Sequence, residues 1–206
     1  ADYTKGNRFF YLSSLKKMPK IRLIGNSVLS LINKVVNGYW NTMDPTNGFV
    51  AIHRKALEQI ELNKIDNRYF FESDMLFRLG LVRAVVLDIK MHAKYADEIS
   101  NLSVLKVLFE FPPKYLLRFL KRIVYLYFLR DFSFATIQIV VGSILMLYGV
   151  TSGAFYWAEG IKTNELVSTG TIMLSALPII LGFQLLLSAI NFDMSNTPKT
   201  PICKDY

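Results

Sequence analysis

Cysteine and histidine are nearly absent from this chain. The one thiol, Cys203, excludes an internal disulfide and fits a reducing compartment. His53 and His92 lie far apart and lack metal-ligand spacing, so both read as structural residues. There is no Gly-rich phosphate loop, no cysteine cluster and no Ser-His-Asp arrangement. Internal repeats and low-complexity tracts are missing too. Charge is absent from two long stretches, 132–158 and 166–192. The segment from Glu165 to Asp193 holds no ionisable group between its ends, which argues against a transport pathway through it.

What is present begins with those two stretches. Each is roughly 27 residues long, and about 20 suffice to cross the hydrocarbon core, with tilt taking up the excess. Only Glu159–Glu165 joins them, so they predict a hairpin that leaves both chain ends on one side. Lys114, Arg118, Lys121, Arg122 and Arg130 precede the first span, and Lys199 and Lys204 follow the second. The connecting loop offers Lys162 alone, flanked by two glutamates. The positive-inside bias therefore predicts an integral protein of the inner (cytoplasmic) membrane, with its globular part and both termini in the cytoplasm. The opening is polar and carries no signal-peptide pattern. A net charge of +8 invites a nucleic-acid reading. The basic residues gather beside the spans instead, where anionic headgroups attract them at about 1 kcal/mol each, so a nucleic-acid partner is set aside.

The first hundred residues read as ordinary globular sequence. Residues 1–18 suggest loop with a short extended piece: Lys5-Gly6-Asn7-Arg8 is polar and turn-prone, and Phe9–Leu12 is apolar. Pro19 suits the first turn of a helix, Ile21, Ile24, Val28, Leu31 and Val35 follow at helical spacing, and Gly38 is a natural stop. The other face of that helix carries Arg22, Asn26, Ser30 and Asn33. Asp44-Pro45 and Asn47-Gly48 are adjacent turn dipeptides before a short strand, Phe49–Ile52. Helices are predicted over about 54–60 and 69–79, the second capped by Asp66 or Asn67. A strand over 84–89 and a polar loop over 95–103 follow. From Pro112-Pro113, Lys114, Arg118, Lys121 and Arg122 share one helical face, opposite Leu116, Leu117, Leu120, Ile123, Val124 and Tyr127. That pattern predicts a helix lying in the membrane interface, and an amphipathic helix packed on the domain has the same pattern. Too few strands precede the spans to complete an α/β sheet, so the chain is expected to start in mid-domain.

Three groups of residues are candidates for chemistry. The turn Asp44–Phe49 suits the floor of an active site, with Gly48 letting backbone approach a sugar or phosphate; a plain double turn before a strand looks the same. Glu72 and Asp74 stand two apart on a helix and point to different faces, so at most one of them can face a cleft as a base; a solvated surface pair has the same spacing. Arg8 and Arg22 suit a phosphate, which guanidinium groups bind in bidentate fashion, and Arg22 adds its charge to a helix N-terminus. Two plain surface arginines fit those positions equally.

Five motifs occur in a fixed order: Lys5-Gly6-Asn7-Arg8-Phe9; Met18-Pro19 with Ile21-Arg22 and Gly25-Asn26; Asp44-Pro45-Thr46-Asn47-Gly48-Phe49; Phe70-Phe71-Glu72-Ser73-Asp74; and Tyr95-Ala96-Asp97-Glu98-Ile99-Ser100-Asn101-Leu102. Together they resemble the carboxy-terminal half of a family 2 glycosyltransferase of the polyprenyl-phosphate (dolichol-phosphate mannose synthase-like) group. The resemblance covers roughly residues 1–105. It implies an α/β fold: an incomplete GT-A, Rossmann-like domain over 1–105, an interfacial amphipathic helix over 106–131, a two-helix transmembrane hairpin over 132–192 and a cytoplasmic tail over 193–206. It also implies inverting transfer of a sugar from a nucleotide-sugar to a polyprenyl phosphate at the cytoplasmic leaflet, in cell-envelope glycan biosynthesis. Arg8, Arg22 and Asn26 fall where relatives hold the acceptor phosphate. Asp44, Asn47 and Gly48 fall in the active-site loop. Asp74 matches the acid that is often the base, although Ser73 separates it from Glu72 and leaves the choice between the two open. Relatives bind a divalent metal, Mg or Mn, through an Asp-x-Asp that lies upstream of Lys5. This chain contains no counterpart, so the stretch alone is expected to be inactive.

Two rival readings stand beside this one. The enzyme could act on a lipid-linked hydroxyl, where a true general base matters more. Alternatively the chain could be a non-catalytic membrane scaffold whose helices assemble partners, or a homo-oligomer, with Gly149 and Gly153 as the contact.

Overall fold

In the computed structural model the described residues are 1–12, 15, 18, 20–67, 70–92 and 104–204, with the side chains of 21, 22 and 104–108 excepted. The motif at 95–102 and the side chain of Arg22 therefore lie outside the described residues. The chain divides into two compact units: residues 1–126 together with 196–206, and residues 127–195.

The first unit is built on a three-stranded mixed sheet in the order β2-β1-β3. β1 (Tyr3–Asn7) pairs antiparallel with β2 (Val50–Ile52), Thr4 opposite Ala51, and parallel with β3 (Val86–Lys90), Lys5 opposite Asp88. The central strand thus takes in Lys5-Gly6-Asn7, which corrects the expectation of a turn there, and the apolar Phe9–Leu12 is not a strand. Tyr3, Tyr39, Leu76, Leu79 and Val86 close an apolar core against the sheet. α1 (Lys20–Asn37) ends where Gly38 takes φ +77°, a conformation open to glycine without strain. α2 (Arg54–Glu58) is capped by His53, whose ring nitrogen accepts from the Lys55 amide. α3 (Phe71–Leu81) carries Glu72 and Asp74 in its first turn. Neither Asp66 nor Asn67 caps it: its N-cap is Phe70, without a side-chain bond, and Asp66 is drawn into ion pairs instead.

α4 (Val104–Ile123) corrects the expectation of a helix starting at Pro112. Both prolines sit inside it on the exposed side, where water can serve carbonyls that lose an N–H partner. A π-helical stretch, Val124–Arg130, follows. The basic face of α4 is corrected as well. Lys114 pairs with Asp66 at 2.9 Å, and Arg118 pairs with Asp74 at 2.8 Å. Arg122, buried, donates to the Val35 carbonyl at 2.8 Å near the C-terminal end of α1. Three of the four cations expected to meet headgroups are therefore turned inward by acids and carbonyls of the domain; Lys121 alone is exposed.

The second unit is an antiparallel hairpin of α5 (Phe134–Thr163) and α6 (Thr169–Ser195), both long and apolar enough to cross a membrane. α5 runs about one turn further than the uncharged stretch predicts and ends at Asn164 in the left-handed region. The backbones meet at small residues: a Cβ on Gly182 would stand 2.8 Å from the Gly142 carbonyl oxygen. Gln138 donates to Ser188 at 2.8 Å, and Tyr127 donates to Asp193 at 2.6 Å. Gly149 and Gly153 face Ser175 of α6 in the same chain, which occupies the contact the scaffold reading gave to a partner.

Candidate active site

β1 and β3 run parallel, and charged side chains collect where their ends meet the turn at 43–47. Lys5 is buried and forms an ion pair with Asp88 at 3.1 Å, while its ammonium also donates to the Met43 and Asp44 carbonyls. Burial pushes the Lys5 pKa below its ordinary value, and Asp88 opposes that shift. Asp88 accepts from Asn7 at 2.9 Å and from the Met43 amide at 2.7 Å. The strand is thereby stitched to the turn by a buried cation and a carboxylate.

Arg8 continues the same seam. Its Nε and one terminal nitrogen each donate to Asp44 at 2.6 Å, a bidentate fork, and its amide donates to the same carboxylate at 3.1 Å. Asp44 is fully buried and sits at φ +56°, a conformation open to aspartate at small cost. Ser30 of α1 accepts the Asp44 amide at 3.3 Å. Asn47 accepts from the Phe49 amide at 3.1 Å and donates to the Gly6 carbonyl at 2.8 Å. Gly6 has no room for a side chain: a Cβ would lie 2.7 Å from the Asn47 amide nitrogen. That close approach is the physical role of the glycine before Asn7-Arg8.

The two acids of α3 have separate environments, as their spacing requires. Asp74 is 0% exposed. It accepts from Arg78 at 3.0 Å, Arg118 at 2.8 Å and the Asp66 amide at 2.9 Å. Both of its oxygens are taken by these partners, and neither is turned to a cleft. Glu72 is half-buried, and a Cβ on Gly48 would stand 3.8 Å from its Oε1. Burial raises its pKa above the ordinary carboxylate value. Among the described residues no cation forms an ion pair with it. The acid beside the Asp44–Phe49 turn is therefore Glu72, and Asp74 belongs to the helix packing.

The structure thus brings Arg8, Asp44, Asn47, Gly48 and Glu72 to one turn. Asn26 lies on α1, half-exposed, and Arg22 lies in the first turn of that helix. Asp88 carries no signal in the sequence, and Lys5, which reads there only as positive charge near Arg8, is buried against it. Lys5 stands next to Gly6 in a quoted motif, but only the register of β1 on β3 reveals its partner.

Among the described residues, the aspartates around this turn and on α3 are committed to cations of the chain rather than left for a divalent ion. Asp44 holds Arg8, Asp74 holds Arg78 and Arg118, and Asp88 holds Lys5. Among the described residues no group of three His, Cys, Asp or Glu side chains could hold a metal ion. No protein-family model matches the chain, and no curated protein matches it by sequence.

Proposed function

We propose that the chain is the acceptor-side part of a membrane-anchored inverting glycosyltransferase that passes a sugar from a nucleotide-sugar to a lipid-borne acceptor at the cytoplasmic leaflet. The observation that carries this reading is a half-buried carboxylate of raised pKa, Glu72, beside Gly48 at a turn braced by Arg8 and Asp44, in a chain that continues into two long apolar helices. The order of the five motifs supports the same assignment. On this reading the three-stranded sheet is the carboxy-terminal portion of a GT-A domain.

In the reaction an acceptor oxygen attacks C1 of the sugar, the C1–O bond to the nucleoside diphosphate breaks, and the configuration inverts. Gly48 admits the substrate close to backbone. The Arg8 side chain is 18% exposed, and Asp44 fixes the plane of its guanidinium. That preorganised charge suits an anionic acceptor such as polyprenyl phosphate. Glu72 takes the carboxylate role in place of Asp74. A lipid phosphate is already ionised and asks little of a base. The raised pKa of Glu72 therefore favours a second reading, a lipid-linked hydroxyl as acceptor.

The test is a donor screen. Membranes containing the protein, translated from its complete reading frame, receive labelled nucleotide-sugars with polyprenyl phosphate or with a lipid-linked saccharide. Label is expected in the lipid extract with one donor. Glu72→Gln abolishes transfer to a hydroxyl and slows transfer to a phosphate, whereas Arg8→Ala weakens the phosphate reaction more. No labelled lipid with any donor, or full turnover in both variants, would overturn the proposal.

A further inference from the structure

An aromatic side chain on an exposed turn gains little from burial. Phe9-Phe10-Tyr11 follows Arg8 directly, and Phe10 is 52% exposed. The partners of these rings come from the neighbouring strand. β1 and β3 run parallel with Asn7 opposite Lys90, so Arg8 and Phe9 leave β1 where Met91 and His92 leave β3. Contact continues past the strand ends. The Met91 amide donates to the Asn7 carbonyl at 3.2 Å, and the Asn47 side-chain amide donates to the Met91 sulfur at 2.9 Å. Two ring contacts follow. Tyr11 and His92 stack with centroids 3.9 Å apart and planes 10° from parallel, and the Lys90 ammonium stands 4.1 Å from the centre of the Phe10 ring.

Arg8 lies between these fasteners. On its amino-terminal side, the Asn7 amide group is tied to Asp88, and the Asn7 side-chain oxygen accepts from the Phe9 amide at 2.8 Å. On its carboxy-terminal side, Phe10 and Tyr11 are joined to the exit of β3 by their rings. The guanidinium itself is gripped by Asp44 through two nitrogens at 2.6 Å each. That fork fixes a plane only while the backbone that carries Arg8 stays in place. Tyr11 is half-buried and His92 is exposed, so loss of the stack removes an orientation more than a core contact.

We infer that Tyr11 and His92 are positioning residues: their stack is a clasp that holds the segment after β1, so that Arg8 keeps its fork on Asp44 and presents one fixed guanidinium plane to an anionic ligand. They touch no reacting atom. The use of Arg8 for an acceptor phosphate rests on the proposed function, whereas the clasp rests on the ring geometry alone. His92, which has no ligand spacing in the sequence, acts here through its ring face. Stacking needs two rings and neither the Tyr11 hydroxyl nor the imidazole nitrogens. A pair of this kind shifts a local opening equilibrium about two- to tenfold, which sets the size of effect to look for.

The test reads arginine Nε–H protons by NMR on the whole chain in detergent micelles, isotope-labelled at arginine. Arg8 donates its Nε–H to Asp44, and Arg78 and Arg118 donate theirs to Asp74, which makes the latter two an internal control. Tyr11→Ala and His92→Ala are each expected to speed solvent exchange at Arg8 about two- to tenfold, with Arg78 and Arg118 unchanged. The double variant should go no further than either single one, because each loses the same stack. Tyr11→Phe and His92→Phe should keep the wild-type rate. The same proteins are titrated with farnesyl phosphate, which the two Ala variants should bind several-fold more weakly. Unchanged exchange at Arg8 in both Ala variants would overturn the inference. Equal acceleration at all three arginines would mark general loosening and would overturn it too. Faster exchange at Arg8 with undiminished affinity for farnesyl phosphate would remove the positioning role. Exchange that responds as expected, in a chain that binds no farnesyl phosphate even without substitution, would support the clasp and count against the lipid-phosphate acceptor.

Discussion

The sheet side of the globular unit and its α1/α4 layer use opposite rules. Around the sheet, Tyr3, Leu76, Leu79 and Val86 are buried, and the charged exceptions are Lys5, held by Asp88, and Asp2, held by backbone amides. In the layer, Val36, Phe111 and Tyr115 pack between the helices, but asparagine, serine, aspartate and arginine side chains also lie inside, and Ile24, Val28, Leu31, Leu116 and Leu120 lie outside. Periodicity shows that a helix has two faces. It does not show which medium each face meets, and that depends on whether the polar face finds partners within the fold.

The contrast is most exposed to failure at its ion pairs. Asp74→Ala should destabilise the globular unit by about 3–5 kcal/mol, because two guanidinium groups lose their buried partner. A urea midpoint in detergent reads this, and a midpoint near wild type would show that the layer is not held by charge. On the sheet side, Leu79→Ala should cost about 2–5 kcal/mol through the cavity it leaves. Next comes Asn33→Ala, expected to cost about 1–3 kcal/mol by stranding the buried Asn37 side-chain amide, while the Tyr115 hydroxyl keeps Ser73. Leu31→Ala, on the same helix, should stay within about 0.5 kcal/mol. If Leu31→Ala proves costlier than Asn33→Ala, the assignment of inside and outside on α1 is wrong.

Two carboxylates sharpen the comparison through pH. Burial alone would raise the Asp2 pKa, but the amides of Val85, Ile202 and Cys203 outweigh it and the net shift is downward. A lowered pKa contributes stability that is present above the ordinary value of 3.8 and is lost as pH falls below it. Glu72 has the opposite sign. Its pKa is raised by burial, so its ionised form costs stability, and the cost grows as pH rises from 4.5 through the folded value. Midpoints measured across pH should therefore show Asp2→Asn weakest relative to wild type at neutral pH and converging in acid. Glu72→Gln should equal wild type in acid and exceed it at neutral pH. A Glu72→Gln curve that falls below wild type at neutral pH would mean the carboxylate has a stabilising partner.

Much of this fold was legible in the sequence. Gly38 stops α1, Arg54 opens α2, and the two uncharged stretches become α5 and α6. The candidate site was legible as residue types, since Arg8, Asp44, Asn47, Gly48 and Glu72 were all singled out beforehand. The division of labour between Glu72 and Asp74 was not, because it is set by Arg118, 44 residues further on, and by the depth at which α3 packs. The basic face of α4 misled for the same reason. Lys114 and Arg118 look like headgroup ligands until Asp66 and Asp74 are placed beneath them. Long-range pairing of charges leaves no periodic trace.

The last residues of the chain have a consequence for how the hairpin is held. The globular unit is entered twice, up to Leu126 and again from Asn196, and the returning tail is fastened at Asp2 and, through Asn196, at Arg83. Helices α5 and α6 are thus a closed loop with two covalent tethers, not a terminal tail. A protease that cuts once between Leu126 and Phe134 would leave the two units joined through the second tether and the Asp2 clasp, so release of the globular unit needs two cuts.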